Sequence, residues 1–161
     1  MRTFRFIAPL LALGFALATP ANEKQVSEQD RASIAELLRK HDATLESGDT
    51  QGLLALMTDD YVEMGAGTPP LEGKDAARKS LDEFLAKHLM TTFRSDIRDI
   101  RVSGDWATVR ADNAQLITQK SDGIARAING KQMLLLHREK DGSWKIHTNM
   151  WNLSGPPKTV P

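Results

Sequence analysis

The sequence predicts an α+β domain, with about three N-terminal helices packed on one face of a strongly curved antiparallel sheet. Two observations carry this reading. As far as His88, apolar residues recur at spacings of three and four, the mark of one buried helix face. From Thr91 onward the chain turns to long strand-like runs separated by Ser103-Gly104-Asp105, Ser121-Asp122-Gly123 and Asp141-Gly142. Helices followed by a strand meander give an α+β layering rather than a parallel α/β sheet.

Each element has its own local reason. Ser27 opens the first helix, with Asp30 as an acidic partner in a capping-box-like arrangement. Ile34, Leu37, Leu38, His41 and Leu45 share its inner face, and Gly48 ends it. Asp49-Thr50 starts a shorter helix carrying Leu53, Leu54, Leu56 and Met57. Tyr61-Val62-Glu63-Met64 reads as a short strand, followed by a loop from Gly65 to Gly73. Lys74-Asp75 begins a third helix whose inner face is Ala77, Leu81, Phe84, Leu85 and His88. The strands then fall at 92–102, 106–119, 125–139 and 143–153, and Gly155-Pro156-Pro157 closes the ordered part.

The chain of 161 residues suits one domain. Residues 1–21 read as a secretory signal peptide, with Arg2 and Arg5 ahead of an apolar run and small-residue cleavage sites after Ala18 or Ala21. A polar leader at 22–27, a domain at 28–154 and a tail at 155–161 complete the division. Removing the leader takes two arginines from a neutral chain, leaving a formal charge near −2. Such a surface gives no electrostatic case for nucleic acid, or for a membrane once the signal is cleaved. There is no cysteine, which rules out disulfides, thiol catalysis and thiolate metal sites. A bacterial periplasm is the expected address. The strand Met133-Leu134-Leu135-Leu136-His137 is apolar on both faces, so a second cover is expected over the sheet, most simply another copy of the chain.

Three stretches, LESGDTQGLLALMTDDYVEMGAG, LEGKDAARKSL and HREKDGSWKIHTNMW, stand in this order over about residues 28–154. Together they resemble the nuclear transport factor 2-like superfamily, and more closely its SnoaL-like group and domain of unknown function 4440. The resemblance implies a cone-shaped, cystatin-like fold enclosing an apolar pocket, with homodimers formed through the outer sheet face. Similar proteins include steroid isomerases, dehydratases, epoxide hydrolases, polyketide cyclases and binding domains without activity, so fold does not settle function. Steroid isomerase chemistry needs a tyrosine and two aspartates. The resemblance places these at His41, at Met64 or Gly65, and at Leu134 or Leu135, so that activity is not expected.

Candidate site residues follow from residue type and face. His41 lies on the buried helix face as a general base or ligand donor, or else as a core histidine bonded to a neighbour. Asp42 points about 100° away around the helix and is no automatic partner for it. A two-residue Asp141-Gly142 turn pairs Leu136 with His147, Leu134 with Asn149 and Gln132 with Trp151, placing these residues on one surface. In similar isomerases that surface is the cavity wall; the competing reading is a dimer face, and one extra turn residue exchanges the two. Asn113 on the middle strand joins the same wall, while Tyr61, Glu63 and Met64 stand near its mouth. Glu63 is the best acid/base candidate beside His41, against a plain reading as a solvated edge charge.

The expected ligand pocket is therefore His41, Tyr61, Met64, Asn113, Leu134, His147, Asn149 and Trp151, with His41 and Glu63 as catalytic candidates. The four histidines lack metal-ligand spacing, and no phosphate-cradling loop or nucleophile turn is present, so neither metal nor cofactor is expected. The expected function is an exported, dimeric protein that binds a small apolar molecule. The alternatives are a cofactor-independent lyase, isomerase or hydrolase using a pocket histidine, and an accessory protein-interaction domain.

Overall fold

The computed structural model describes residues 26–160, so the signal peptide and its cleavage sites lie outside the described residues. Helix α1 (Glu28–Ser47) starts where the Ser27 hydroxyl accepts the Asp30 N–H at 3.0 Å. It stops at Gly48, whose φ of 67° suits a residue without a Cβ. Then come α2 (Thr50–Ala55), β1 (Met57–Gly65), β2 (Leu71–Glu72), α3 (Lys74–Lys87), β3 (His88–Ser103), β4 (Trp106–Gln119), β5 (Ala125–Arg138), β6 (Trp144–Leu153) and β7 (Lys158–Val160).

The strands form one sheet in the order β2-β1-β6-β5-β4-β3, with β7 added to β5. The meander from β3 to β6 is antiparallel throughout, whereas β1 joins β6 in parallel, which makes the sheet mixed. Helices and sheet share one core, in which Ile34, Leu38, Tyr61, Val109, Leu134, Leu136 and Ile146 are almost fully buried. The strand residues among them share the face of the sheet that packs with Ile34 and Leu38 of α1 in one cluster. Single-residue bulges interrupt β3, whose register shifts between Met90 and Thr92 and between Ile97 and Asp99; an extra residue of this kind bends a strand.

A third bulge corrects the predicted hairpin. The turn has three residues, Lys140-Asp141-Gly142, closed by the Glu139 N–H on the Ser143 carbonyl at 2.7 Å, with Gly142 at φ 85°. That extra residue pairs Leu136 with Ile146 instead of His147, and it puts Trp144 and Ile146 in the core. The ladder then skips His147, because Leu135 pairs with Thr148. The skip restores the expected pairs Leu134 with Asn149 and Gln132 with Trp151. Trp144 and Ile146 thus share the inner face with Asn149 and Trp151, and Met150 lies outside opposite Met133.

Other boundaries moved for local reasons. Met57 leaves the second helix and begins β1, where it is buried. His88 opens β3 rather than ending α3, with Nδ1 3.1 Å from the Phe84 carbonyl and its ring stacked on Phe84. The loop after β1 contains β2, and the expected tail contributes β7, paired to Ala125–Ala127.

At the other end of the sheet, β3 pairs with β4 on one side only among the described residues, and α1 covers its free edge. The Glu46 carboxylate accepts the Phe93 N–H at 2.9 Å, and the Asp42 carboxylate accepts the Ser95 N–H at 2.7 Å. Two side chains one helical turn apart thus replace a missing ladder. Leu134 is 0 % exposed at the centre of the core, where truncation leaves a cavity. Leu134→Ala is expected to lower stability by about 3 kcal/mol with the urea m-value unchanged, read from equilibrium denaturation.

Candidate functional site

The helices and the inner sheet face enclose a cavity of about 460 Å³. Its walls are mostly apolar: Leu45 from α1, Leu53 and Leu54 from α2, Leu81 and Phe84 from α3, and Met90, Phe93 and Ile117 from the sheet. Ala66, Ser80 and Leu153 line it while remaining exposed, and they mark the mouth. Apolar walls with a few fixed polar groups are the usual make-up of a small-molecule pocket.

Those polar groups fall into two sets. The first sits where β1 and β6 run in parallel, with Glu63 beside Asn149 and Gly65 beside Trp151 in the ladder. Tyr61 and Glu63 are two apart on β1 and share its inner face. The Glu63 carboxylate accepts the Tyr61 hydroxyl at 3.2 Å and the Trp151 indole N–H at 3.1 Å. Gly65 lets the indole lie close over the strand, because a Cβ there would meet the Trp151 ring at 2.9 Å. Burial, then the Glu63 charge and the hydrogen bond to it, push the Tyr61 phenol far above its usual range.

The second set runs from α1 across to β5. His41, 4 % exposed, has Nδ1 3.1 Å from an Asp42 oxygen, and its ring meets Phe93 edge-on at 5.5 Å. The same Asp42 oxygen accepts the Ser95 hydroxyl at 2.8 Å, and Ser95 in turn accepts the Gln132 amide N–H at 3.1 Å. Asp42 is therefore the orienting partner that helix geometry alone did not offer. The two Ser95 donors draw its carboxylate to the β3 side, where the imidazole also reaches. A carboxylate only accepts, so His41 donates through Nδ1–H, and in the neutral ring that tautomer has its lone pair on Nε2. Facing this chain, the Gln115 amide N–H donates to Asn113 Oδ1 at 3.0 Å.

Of the residues expected from the sequence, His41, Tyr61, Glu63, Asn113, Asn149 and Trp151 line this one cavity. Three do not. Leu134 faces inward but is packed beneath, in the core. Met64 lies on the other face of β1, across from Met150. His147, displaced by the bulge, sits on the outer side, with Nδ1 2.8 Å from the Thr148 hydroxyl, Nε2 3.5 Å from Asp60 and its ring against Trp106. His41 and His147 therefore do not share a site. Sequence reasoning passed over Phe93 and Ser95, whose faces are hidden by the β3 bulges; it set Gln132 on the expected wall and Phe84 on the inner face of the third helix, but named neither as a site residue. Among the described residues, no group of three or more His, Asp or Glu is placed to hold a metal.

The SnoaL-like domain family matches residues 38–147, from the middle of α1 into β6. This chain belongs to the SnoaL-like domain family. Among curated proteins none matches the sequence. Solved structures do resemble this SnoaL-like protein. A ketosteroid isomerase-like protein from Erwinia carotovora atroseptica superposes with a TM-score of 0.74 at 24% identity, over 81% of this chain and 100% of that one. A conserved protein from Planctomyces limnophilus gives 0.75 at 21% identity, over 82% and 100%. A nuclear transport factor 2-like protein with a cystatin-like fold, from Novosphingobium aromaticivorans, gives 0.61 at 20% identity, over 78% and 82%. At such identities the likeness is one of fold, and it establishes the cystatin-like, nuclear transport factor 2-like architecture.

Tyr61 is the chain's one tyrosine, so its ionisation can be followed alone. Below about pH 10 the folded and unfolded states both keep the phenol proton, and stability is unaffected. Above it the unfolded chain releases the proton while the folded chain holds it, so stability falls as pH rises. Phenolate absorbance is expected to appear only together with loss of the folded circular dichroism signal, and Tyr61→Phe should weaken this alkaline sensitivity.

Proposed function

We propose that this SnoaL-like protein binds a small, mostly apolar molecule in the cavity between its helices and sheet. The observation that carries the reading is a cavity of about 460 Å³ whose apolar walls surround two fixed polar sets, Tyr61-Glu63-Trp151 and His41-Asp42. A pocket of that size accommodates a ligand of one to three rings. The proposal includes export to the periplasm, supported by the basic head and apolar run of residues 1–21. Native mass spectrometry of protein purified from its own cell envelope is expected to find one retained molecule, and Trp151→Ala to lose it. A wild-type protein that carries nothing and takes up no small apolar compound would sink the idea.

A second reading, acid/base turnover, is favoured by one observation: His41 is held by Asp42 in the tautomer that leaves Nε2 as a base. The two readings separate on His41→Gln. A binder carries the same molecule with and without the histidine, whereas an enzyme accumulates a different one in the variant.

We also propose a homodimer through the outer sheet face. Met133 and Met150, paired across β5 and β6, are 51% and 48% exposed there, and Trp106 on the same face is 40% exposed. Exposed large apolar side chains grouped on one sheet face favour a protein cover. Sedimentation at micromolar concentration is expected to show a dimer that Met133→Lys with Met150→Lys dissociates; a wild-type monomer defeats this proposal alone.

A further inference from the structure

The two ends of the sheet expose different chemistry. At one end the start of β3, the β4–β5 turn and β7 come together: Leu89 pairs with Thr118, Thr118 with Ala125, and Ala125 with Val160. The end of α3 joins them, because the Lys120 N–H donates to the Lys87 carbonyl at 2.9 Å and the Lys120 ammonium to the Leu85 carbonyl at 2.7 Å. Two large apolar side chains stand in solvent here, Leu89 at 50% and Ile124 at 39% exposure. Beside them lie Lys87, Lys120 and Lys158, all exposed, and the half-buried Arg126. Across segments 83–89, 117–128 and 153–160 these four cations meet two acids, Glu83 and Asp122. Asp122 is turned back onto the Ile124 N–H at 2.8 Å. The chain without its leader carries a formal charge near −2, so this end is positive and the remainder negative. A total that gives no case for a membrane is therefore an average over two unlike ends.

The same end adjoins the cavity mouth. Ile117, paired with Arg126, and Phe84, one turn before Lys87, both line the cavity, and Leu153 marks its rim. The Met133–Met150 patch is elsewhere on the sheet. Along β4, Arg110 beside Met133 and Thr118 beside Ala125 are separated by roughly 26 Å at ~3.3 Å per residue. Apolar tips set among lysines match a surface that is anionic outside and oily beneath, the layering of a bilayer with acidic head groups.

We propose that this end of the sheet docks the protein on a bilayer surface rich in anionic phospholipid. Leu89 and Ile124 enter the head-group layer, Lys87, Lys120 and Lys158 meet the lipid phosphates, and the cavity mouth is held at the membrane.

Co-sedimentation of the purified wild-type protein with vesicles tests it, using phosphatidylcholine alone against equal parts of phosphatidylcholine and phosphatidylglycerol. Binding to the anionic vesicles is expected to be at least about tenfold tighter, and to weaken as salt is raised. Lys87→Glu with Lys158→Glu should abolish that preference, and Leu89→Ser with Ile124→Ser should weaken binding with the charge unchanged. Arg31→Glu with Lys140→Glu makes the same change in total charge at the opposite end, where Asp30 holds Arg138, and should leave binding intact. Wild-type protein that binds neither vesicle, or both equally, overturns the proposal. So does an equal loss in the two charge-reversed pairs, which would make total charge rather than this surface responsible. Each of these results leaves the cavity reading standing, because vesicle binding is measured without a cavity ligand. The two vesicle compositions decide on wild-type protein alone if a variant fails to fold.

Discussion

The Asp42 carboxylate holds together parts of the molecule that the chain brings from far apart. One oxygen takes the backbone N–H of Ser95, on a strand edge with no neighbouring strand among the described residues, and the other takes the Ser95 hydroxyl and the His41 ring. Losing it would leave partly buried donors unmatched, a larger penalty than the loss of an ordinary surface hydrogen bond. Glu46 repeats the edge contact one turn along α1, so the helix is fastened by two carboxylates rather than by packing alone. Helix position, edge protection and the His41 tautomer therefore follow from the same side chain.

The parallel junction of β1 with β6 plays a comparable part at the other end of the cavity. It brings Glu63 within hydrogen-bond reach of Trp151, 88 residues later in the chain. A carboxylate in an apolar cavity is tolerable only when its oxygens are matched by donors, and here a phenol and an indole supply them. Those two donors also set the shape of the wall. The indole is fixed over Gly65, and the phenol remains protonated because burial and the neighbouring charge oppose its ionisation.

Much of the fold was readable because its signals are local. Ser27 with Asp30, Gly48, and the turn residues between the long strands act within a few positions of where they stand. Inward parity was readable for Asn113, where the alternation of β4 runs unbroken. Asn149 and Trp151 were instead placed on the wall from a two-residue turn that does not form, an error that the unpaired His147 cancels. The rest depended on contacts with no local trace. A bulge is a one-residue event that leaves composition and periodicity unchanged, so Thr91, Arg98 and His147 gave no warning. The bond from His41 to Asp42 was hidden because it is shaped by Ser95, 53 residues after Asp42. The parallel pairing of β1 could not be derived from residues whose partner strand lies at the other end of the domain.

The skipped residue at His147 works as a frame correction. One residue added in the hairpin loop reverses the facing of all that follows, and one residue left unpaired in the strand reverses it back. The loop at Lys140-Asp141-Gly142 and the wall at Asn149 and Trp151 are consequently decoupled. The tip obeys the demands of chain reversal, the wall obeys those of the cavity, and the mismatch is absorbed at one position on the outer surface. Homologous hairpins built this way can differ in tip length without altering what they present inside, provided that the compensating residue is gained or lost in the same step.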